Sequence, residues 1–249
     1  MSGHSKWHSI KHKKMAMDAR RGKIFTKIIR EIMVAAKVGG PNPETNPRLR
    51  LAIEKAKSVN MPNENIQRAI KRGSGEEPGT NYEQLTYEGY GPGGVAIFVE
   101  VLTDNKNRTA SEIRSIFSRH NGSLAGAGSV SWIFERKGLI NVKKENVDEE
   151  KLMSIVLDAG AEDMKVEKDT YDIITDLGNF ENVKKAIENN NIPIENANIT
   201  YIPKNTVTLV GKDAENLLKL LDELEESEDV QNVYANFDIS DEILEKLSK

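Results

Sequence analysis

The chain of 249 residues contains no cysteine. Disulfides, thiolate metal sites and cysteine nucleophiles are therefore excluded. Long hydrophobic runs are missing as well, since no apolar stretch approaches the roughly 18 residues that a membrane helix requires. The opening Met1-Ser-Gly-His-Ser-Lys6 is basic but leads into no apolar segment, and Ser2 stands where a myristoylation pattern needs glycine, so neither a secretory signal nor a lipid anchor is expected. The cytoplasm is the expected compartment, without a membrane partner. Histidine is scarce too. Of four, three lie in the first twelve residues and the fourth, His120, precedes an Asn-Gly turn, while Glu83, Glu88, Glu100 and Asp104 are scattered away from the basic end of the chain. No nucleophile–base pair and no ligand cluster can be assembled from these, so we expect no enzyme activity, no catalytic residue, no metal site and no cofactor.

What is present is a soluble composition, 38% hydrophobic and 30% charged, with a charge distribution that its formal total of −4 conceals. Residues 1–75 hold 17 Lys and Arg against 5 Asp and Glu, a balance of +12, and the other 174 hold 18 against 34, a balance of −16. Such a dipole presents one end to a polyanion and keeps the other away from it.

Hydrophobic spacing divides the chain further. Ile24, Phe25, Ile28, Ile29, Ile32, Met33 and Ala36 recur with helical period until Gly39-Gly-Pro41 stops them. A second helix is expected from Pro47, burying Leu49, Ala52, Ile53 and Ala56, and a short third from Pro62, burying Ile66, Ala69 and Ile70, with Gly73 as its left-handed cap. The turn-rich Gly73–Asn81 segment marks a boundary. Strands follow at 85–90 and 95–101, the latter nearly continuous in apolar residues, then a helix at 109–120. Residues 131–202 read strand, helix, strand, strand, helix, strand, the ferredoxin-like order. The remaining strand, helix and strand of 206–238 are too few to fold alone and must complete the core begun by 76–130. The expected fold class is α+β multidomain. It comprises an N-terminal helical bundle (1–75, with a basic tail), a discontinuous middle α+β domain (76–130 and 205–249) and a ferredoxin-like domain inserted within it (131–204).

Nucleic acid is the partner that the basic end fits. Lys6, Lys11, Lys13, Lys14, Arg20, Arg21, Lys23, Lys27 and Arg30 crowd into thirty residues against one acid, Asp18. Confined cations release condensed counterions when they meet phosphates, and Trp7 can stack on a base or ribose where a strand is open; His12, among the lysines, is counted with this candidate surface. Arg48 and Arg50 on the second helix and Arg68, Lys71 and Arg72 on the third extend this candidate surface. The second and third helices have helix-turn-helix spacing, a spacing that short bundles also adopt by default. Gly89-Tyr-Gly-Pro-Gly-Gly94 lacks the Lys-Ser/Thr of a phosphate loop and reads as a strand connection. Thr103-Asp-Asn-Lys-Asn-Arg-Thr109 either caps the next helix through Asp104 or Asn107, or forms a second contact site from Asp104, Asn107 and Arg108.

Several of these stretches carry a resemblance. Met1-Ser-Gly-His-Ser-Lys-Trp7, Ile10-Lys-His-Lys-Lys14, Arg21-Gly-Lys-Ile-Phe-Thr-Lys27, Asn46-Pro-Arg-Leu-Arg50, Arg68-Ala-Ile-Lys-Arg-Gly73, Tyr87-Glu-Gly-Tyr-Gly-Pro-Gly-Gly94 and Thr103–Thr109 resemble, over essentially the full length, the YebC/PmpR family. The resemblance implies the same three-domain arrangement and a DNA-binding transcriptional regulator. The family also includes mitochondrial translational activators, which implies the alternative of a ribosome-associated translation factor that binds RNA. Promoter DNA and ribosomal RNA both stay open as targets, as does the oligomeric state, and no catalytic residue or cofactor comes with the family.

Overall fold

A computed structural model describes residues 17–240 and 243–244, with side chains from Gly22 onward. The chain folds as α+β. Three helices come first, α1 (Met17–Gly39), α2 (Pro47–Ser58) and α3 (Asn63–Ser74). Their core is Ile28, Ile32, Met33, Leu49, Ala52, Ile66, Ala69 and Ile70, the residues that the helical spacing selects. Asn46 fixes the entry to α2. Its buried side chain accepts from Leu49 N at 3.1 Å and donates to Ala35 O and Gly40 O, each at 2.8 Å, which ties the N-cap of α2 to the end of α1. Gly73 is not the cap of α3 but lies inside it, where a Cβ would meet Met33 O at 2.4 Å; the left-handed cap is Gly75, at φ 85°. Gly73 is needed because α3 packs against the α1 backbone.

The first sheet runs in the order β3 (Ser123–Ala125), β1 (Glu83–Tyr90), β2 (Ala96–Thr103), β9 (Val230–Ala235), all antiparallel. One face packs on α4 (Lys106–Arg119) and α7 (Gly211–Glu226) through Ile97, Val99, Ile113, Phe117, Leu217 and Leu221. The other face carries Ala96 and Phe98 against Val130, Ile133 and Phe134. Burial on both faces explains why β2 is a continuous apolar run. The Gly91–Gly94 connection joins β1 to β2, with Gly91 N donating to Val95 O at 2.8 Å, so it serves as the strand connection that the sequence suggests. A two-stranded parallel pair, β8 (Val207–Thr208) with β10 (Phe237–Asp238), sits beside it.

The second sheet takes all its strands from one stretch of chain: β4 (Phe134–Lys143), β5 (Asp163–Val166), β6 (Thr170–Thr175) and β7 (Ile194–Pro203), in the order β5-β6-β4-β7 and antiparallel throughout. Helices α5 (Glu149–Asp158) and α6 (Phe180–Asn189) cover one face through Leu152, Val156, Phe180, Val183 and Ile187. The opposite face carries Asn141, which donates to the buried Asp172 at 2.7 Å. The helical unit touches this part as well, through Leu51 against its core and Lys184 Nζ to Glu54 at 3.0 Å. No helix among the described residues is long and apolar enough to cross a membrane.

Candidate nucleic-acid interface

Lys6, Trp7, Lys11, His12, Lys13 and Lys14 lie outside the described residues, and so do the side chains of Arg20 and Arg21. The cations that follow fall into two groups. Lys23, Lys27 and Arg30 occur at intervals of three to four on α1, which puts them on one face, and that face meets the acidic end of α7 and the loop after it. Lys23 Nζ pairs with Glu226 at 2.6 Å, and Lys27 Nζ donates to Glu225 O at 2.6 Å. Burial pushes the Lys27 ammonium down to about 8, against the opposing pull of Glu225.

Arg30 is only 8% exposed, so it contributes to the molecule's interior and not to an open surface. Its Nη1 donates to Asp229 Oδ1 at 2.8 Å and to Glu228 O at 2.7 Å, and its guanidinium lies over the Tyr82 ring, 5.2 Å from the centroid. Asp229 is the hub of this arrangement. Its Oδ2 accepts from Thr109 Oγ1 at 2.6 Å and from Arg108 Nη2 at 2.9 Å, with Thr103 Oγ1 at 3.2 Å. Burial alone would raise its carboxyl; the Thr109 and Arg108 hydrogen bonds and the two guanidinium charges outweigh that and hold it below the usual carboxylate range.

The candidate second site is thereby given a structural account. Arg108 bridges Asp104, at 2.9 Å, and Asp229, and its already high pKa is raised further by both carboxylates. Neither Asp104 nor Asn107 caps α4. Asn105 does, its side chain accepting from Arg108 N at 3.1 Å. Asn107 is exposed on the first turn of the helix. Asp229 was invisible to sequence reasoning because 121 residues separate it from Arg108 and 199 from Arg30. Asn46 did have a signal, an Asn immediately before a first-turn proline.

The second group faces outward. Arg68, Lys71 and Arg72 are exposed on α3, opposite Ile66, Ala69 and Ile70. Arg72 Nε is 3.9 Å from Glu77, and Arg68 and Lys71 have no side-chain partner among the described residues. Arg48 is spent on Glu31, with bonds of 2.7 and 3.2 Å, and on Gln84 at 3.0 Å; Arg50 reaches Pro43 O at 3.5 Å. His120 ends α4 and sets Nε2 against Glu223. Among the described residues no group of three or more His, Cys, Asp or Glu could hold a metal ion. Both α2 and α3 contribute to the core formed with α1, and Asn60, at φ 57°, makes the turn between them, so packing alone accounts for the helix-turn-helix spacing.

Comparison with known proteins bears on the whole chain. A family model described as "TACO1/YebC protein N-terminal domain" matches residues 5–76, and one described as "TACO1/YebC second and third domain" matches residues 82–237. A probable transcriptional regulatory protein of Dictyoglomus thermophilum is 59% identical over 249 residues, covering 100% of both chains. One of the same description from Geobacter sulfurreducens is 58% identical over 247 residues, covering 99% of this chain and 100% of its own. The crystal structure of a conserved hypothetical protein from Aquifex aeolicus superposes with a TM-score of 0.83 at 51% identity, covering 92% of this chain and 95% of that one. With both family models matched in sequence order and relatives alike from end to end, the chain belongs to the TACO1/YebC family.

Proposed function

We propose that this protein is a non-enzymatic, nucleic-acid-binding regulator of gene expression that works in the cytoplasm. The observation that carries the reading is the division of its cations. Lys23, Lys27, Arg30 and Arg48 are bonded within the chain, whereas Arg68 and Lys71 stand exposed on one helix face with no described partner. Exposed cations on one face, in the same +12 portion of the chain as the basic tail, are an electrostatic footprint for phosphates. The relatives' description as transcriptional regulators supports the class. We further propose the three-part division into 1–75, 76–130 with 205–249, and 131–204. It is supported by a first sheet that draws β9 from the end of the chain and a second sheet confined to 134–203, whose strand order is that of a ferredoxin-like unit.

The reading is tested by salt titration of binding. If about five of the tail cations contact phosphates, they contribute about −4 to −5 to the slope of log K against log salt on duplex DNA. Reversing Lys11, Lys13, Lys14, Arg20 and Arg21 to Glu should abolish binding. Reversing Arg68 and Lys71 should weaken it on every sequence and flatten the slope by about 2, one for each phosphate that is no longer neutralised. Undiminished binding by folded forms of both variants would overturn the proposal.

A further inference from the structure

Trp132 is 63% exposed and Tyr90 is 38% exposed. They meet at one point: Tyr90 Oη and Trp132 Nε1 both donate to the carbonyl oxygen of Ser129, at 3.1 and 3.0 Å. Each polar tip is satisfied inside the molecule, which leaves the ring faces as the surface on offer. The loop beneath is held by a buried charge. Glu88, 5% exposed, accepts from the backbone amides of Gly128 at 2.8 Å, Val130 at 2.7 Å and Ser131 at 2.9 Å. Burial raises the Glu88 carboxyl, but those three amides more than compensate and hold it below the usual carboxylate range, so the clamp is ionised at neutral pH. Val130 and Ile133, on either side of Trp132, are buried in the sheet's second face beside Phe98 and Phe134, so the tryptophan is turned outward by anchors on both sides.

We propose that the Tyr90–Trp132 pair is a stacking site for an unpaired base of a single-stranded nucleic acid, an inference that rests on the nucleic-acid reading above and names a second contact for it. Three features select a base over other partners. The rings are fixed before binding, so stacking costs little conformational entropy. Their donors are already occupied, which suits a contact that recognises a π-face and tolerates any base. Arg136, exposed on β4 four residues after Trp132 and without an ion pair among the described residues, supplies a cation close in sequence.

The experiment compares binding of a 12-nucleotide oligoadenylate RNA, its DNA counterpart and a duplex of the same length by fluorescence anisotropy, using the full chain at fixed salt. Trp132→Ala should weaken binding of both single strands by about 5- to 150-fold, the range of base–aromatic stacking, with little effect on the duplex. The salt slope should not change, since no charge is removed, and Trp132→Phe should restore most of the affinity. Emission from Trp132, read in a Trp7→Phe chain, should be quenched by the single strands. Equal single-strand affinity of the Trp132→Ala and parent chains, or binding without quenching, overturns the stacking site and leaves the cationic interface standing. Failure of the parent chain to bind any of the three probes overturns both.

Discussion

At the scale of single residues, Asp229 is where two arginines from distant segments converge. It brings Arg30 of the helical unit, Arg108 and Thr109 of α4 and the loop before β9 to one buried carboxylate. Removing one partner of a buried ion pair leaves the other charge uncompensated. Asp229→Ala is expected to destabilise the protein by about 3–5 kcal/mol, read as a fall in the urea midpoint. The pH dependence follows from the lowered carboxyl. Its contribution is fully present above the unfolded-state value, about pH 4, and is lost as pH falls through the folded-state value. The parent chain should therefore lose stability over that acid range more steeply than Asp229→Ala. A variant within about 1 kcal/mol of the parent at neutral pH, with the same acid limb, would show that the hub contributes no more than a surface pair.

At the scale of elements, two glycines separate helix propensity from packing. Gly22 lies within α1 and a Cβ there meets nothing within 4 Å, so Gly22→Ala should stabilise by about 0.5–1 kcal/mol through propensity alone. Gly73 lies within α3, where the same substitution drives a methyl to 2.4 Å from Met33 O and 2.8 Å from Met33 Cα. Backbone cannot yield as a flexible side chain can, so Gly73→Ala should destabilise by about 1–3 kcal/mol, the cost of overpacking, despite the better propensity. Opposite shifts in melting temperature are the expected result; shifts of the same sign would mean that α1 and α3 are not in backbone contact. This difference was not legible in the sequence. Gly73 followed a short helical pattern and preceded Ser-Gly, so it fitted a cap as well as an interior position, and only the distance to α1 distinguishes the two.

At the scale of the whole molecule, the +12 and −16 halves do not simply stand apart, because the acidic end of α7 neutralises one face of α1 while α3 keeps its cations in solvent. Among the described residues the exposed basic surface is narrower than the count of basic residues implies. The proposed stacking site, together with the exposed cations of α3, favours RNA, so the protein is expected to sediment with ribosomal particles from lysate at about 0.1 M salt, where exposed charges still act over about 10 Å, and to be released by nuclease. Absence from every ribosomal fraction, combined with a preference above about a thousandfold for one promoter over unrelated DNA, would assign it to transcription instead.

The sequence by itself determined the elements and their inward faces, because period and burial are local properties: Ile28 and Ile32 on α1, the doubly buried run of β2 and the leucines of α7 occupy the core positions their spacing indicates. Through motif resemblance it also determined the family. Tertiary structure decided which charged residues remain available. Arg30 and Arg108 read as surface cations in sequence, yet both are drawn to Asp229, and Trp132, near the start of the 131–202 stretch, stands exposed in a turn that Glu88 clamps from a distant strand. A side chain's charge or ring is written in the chain. Its partner, when more than a hundred residues away, is fixed only when the sheet brings the two segments together.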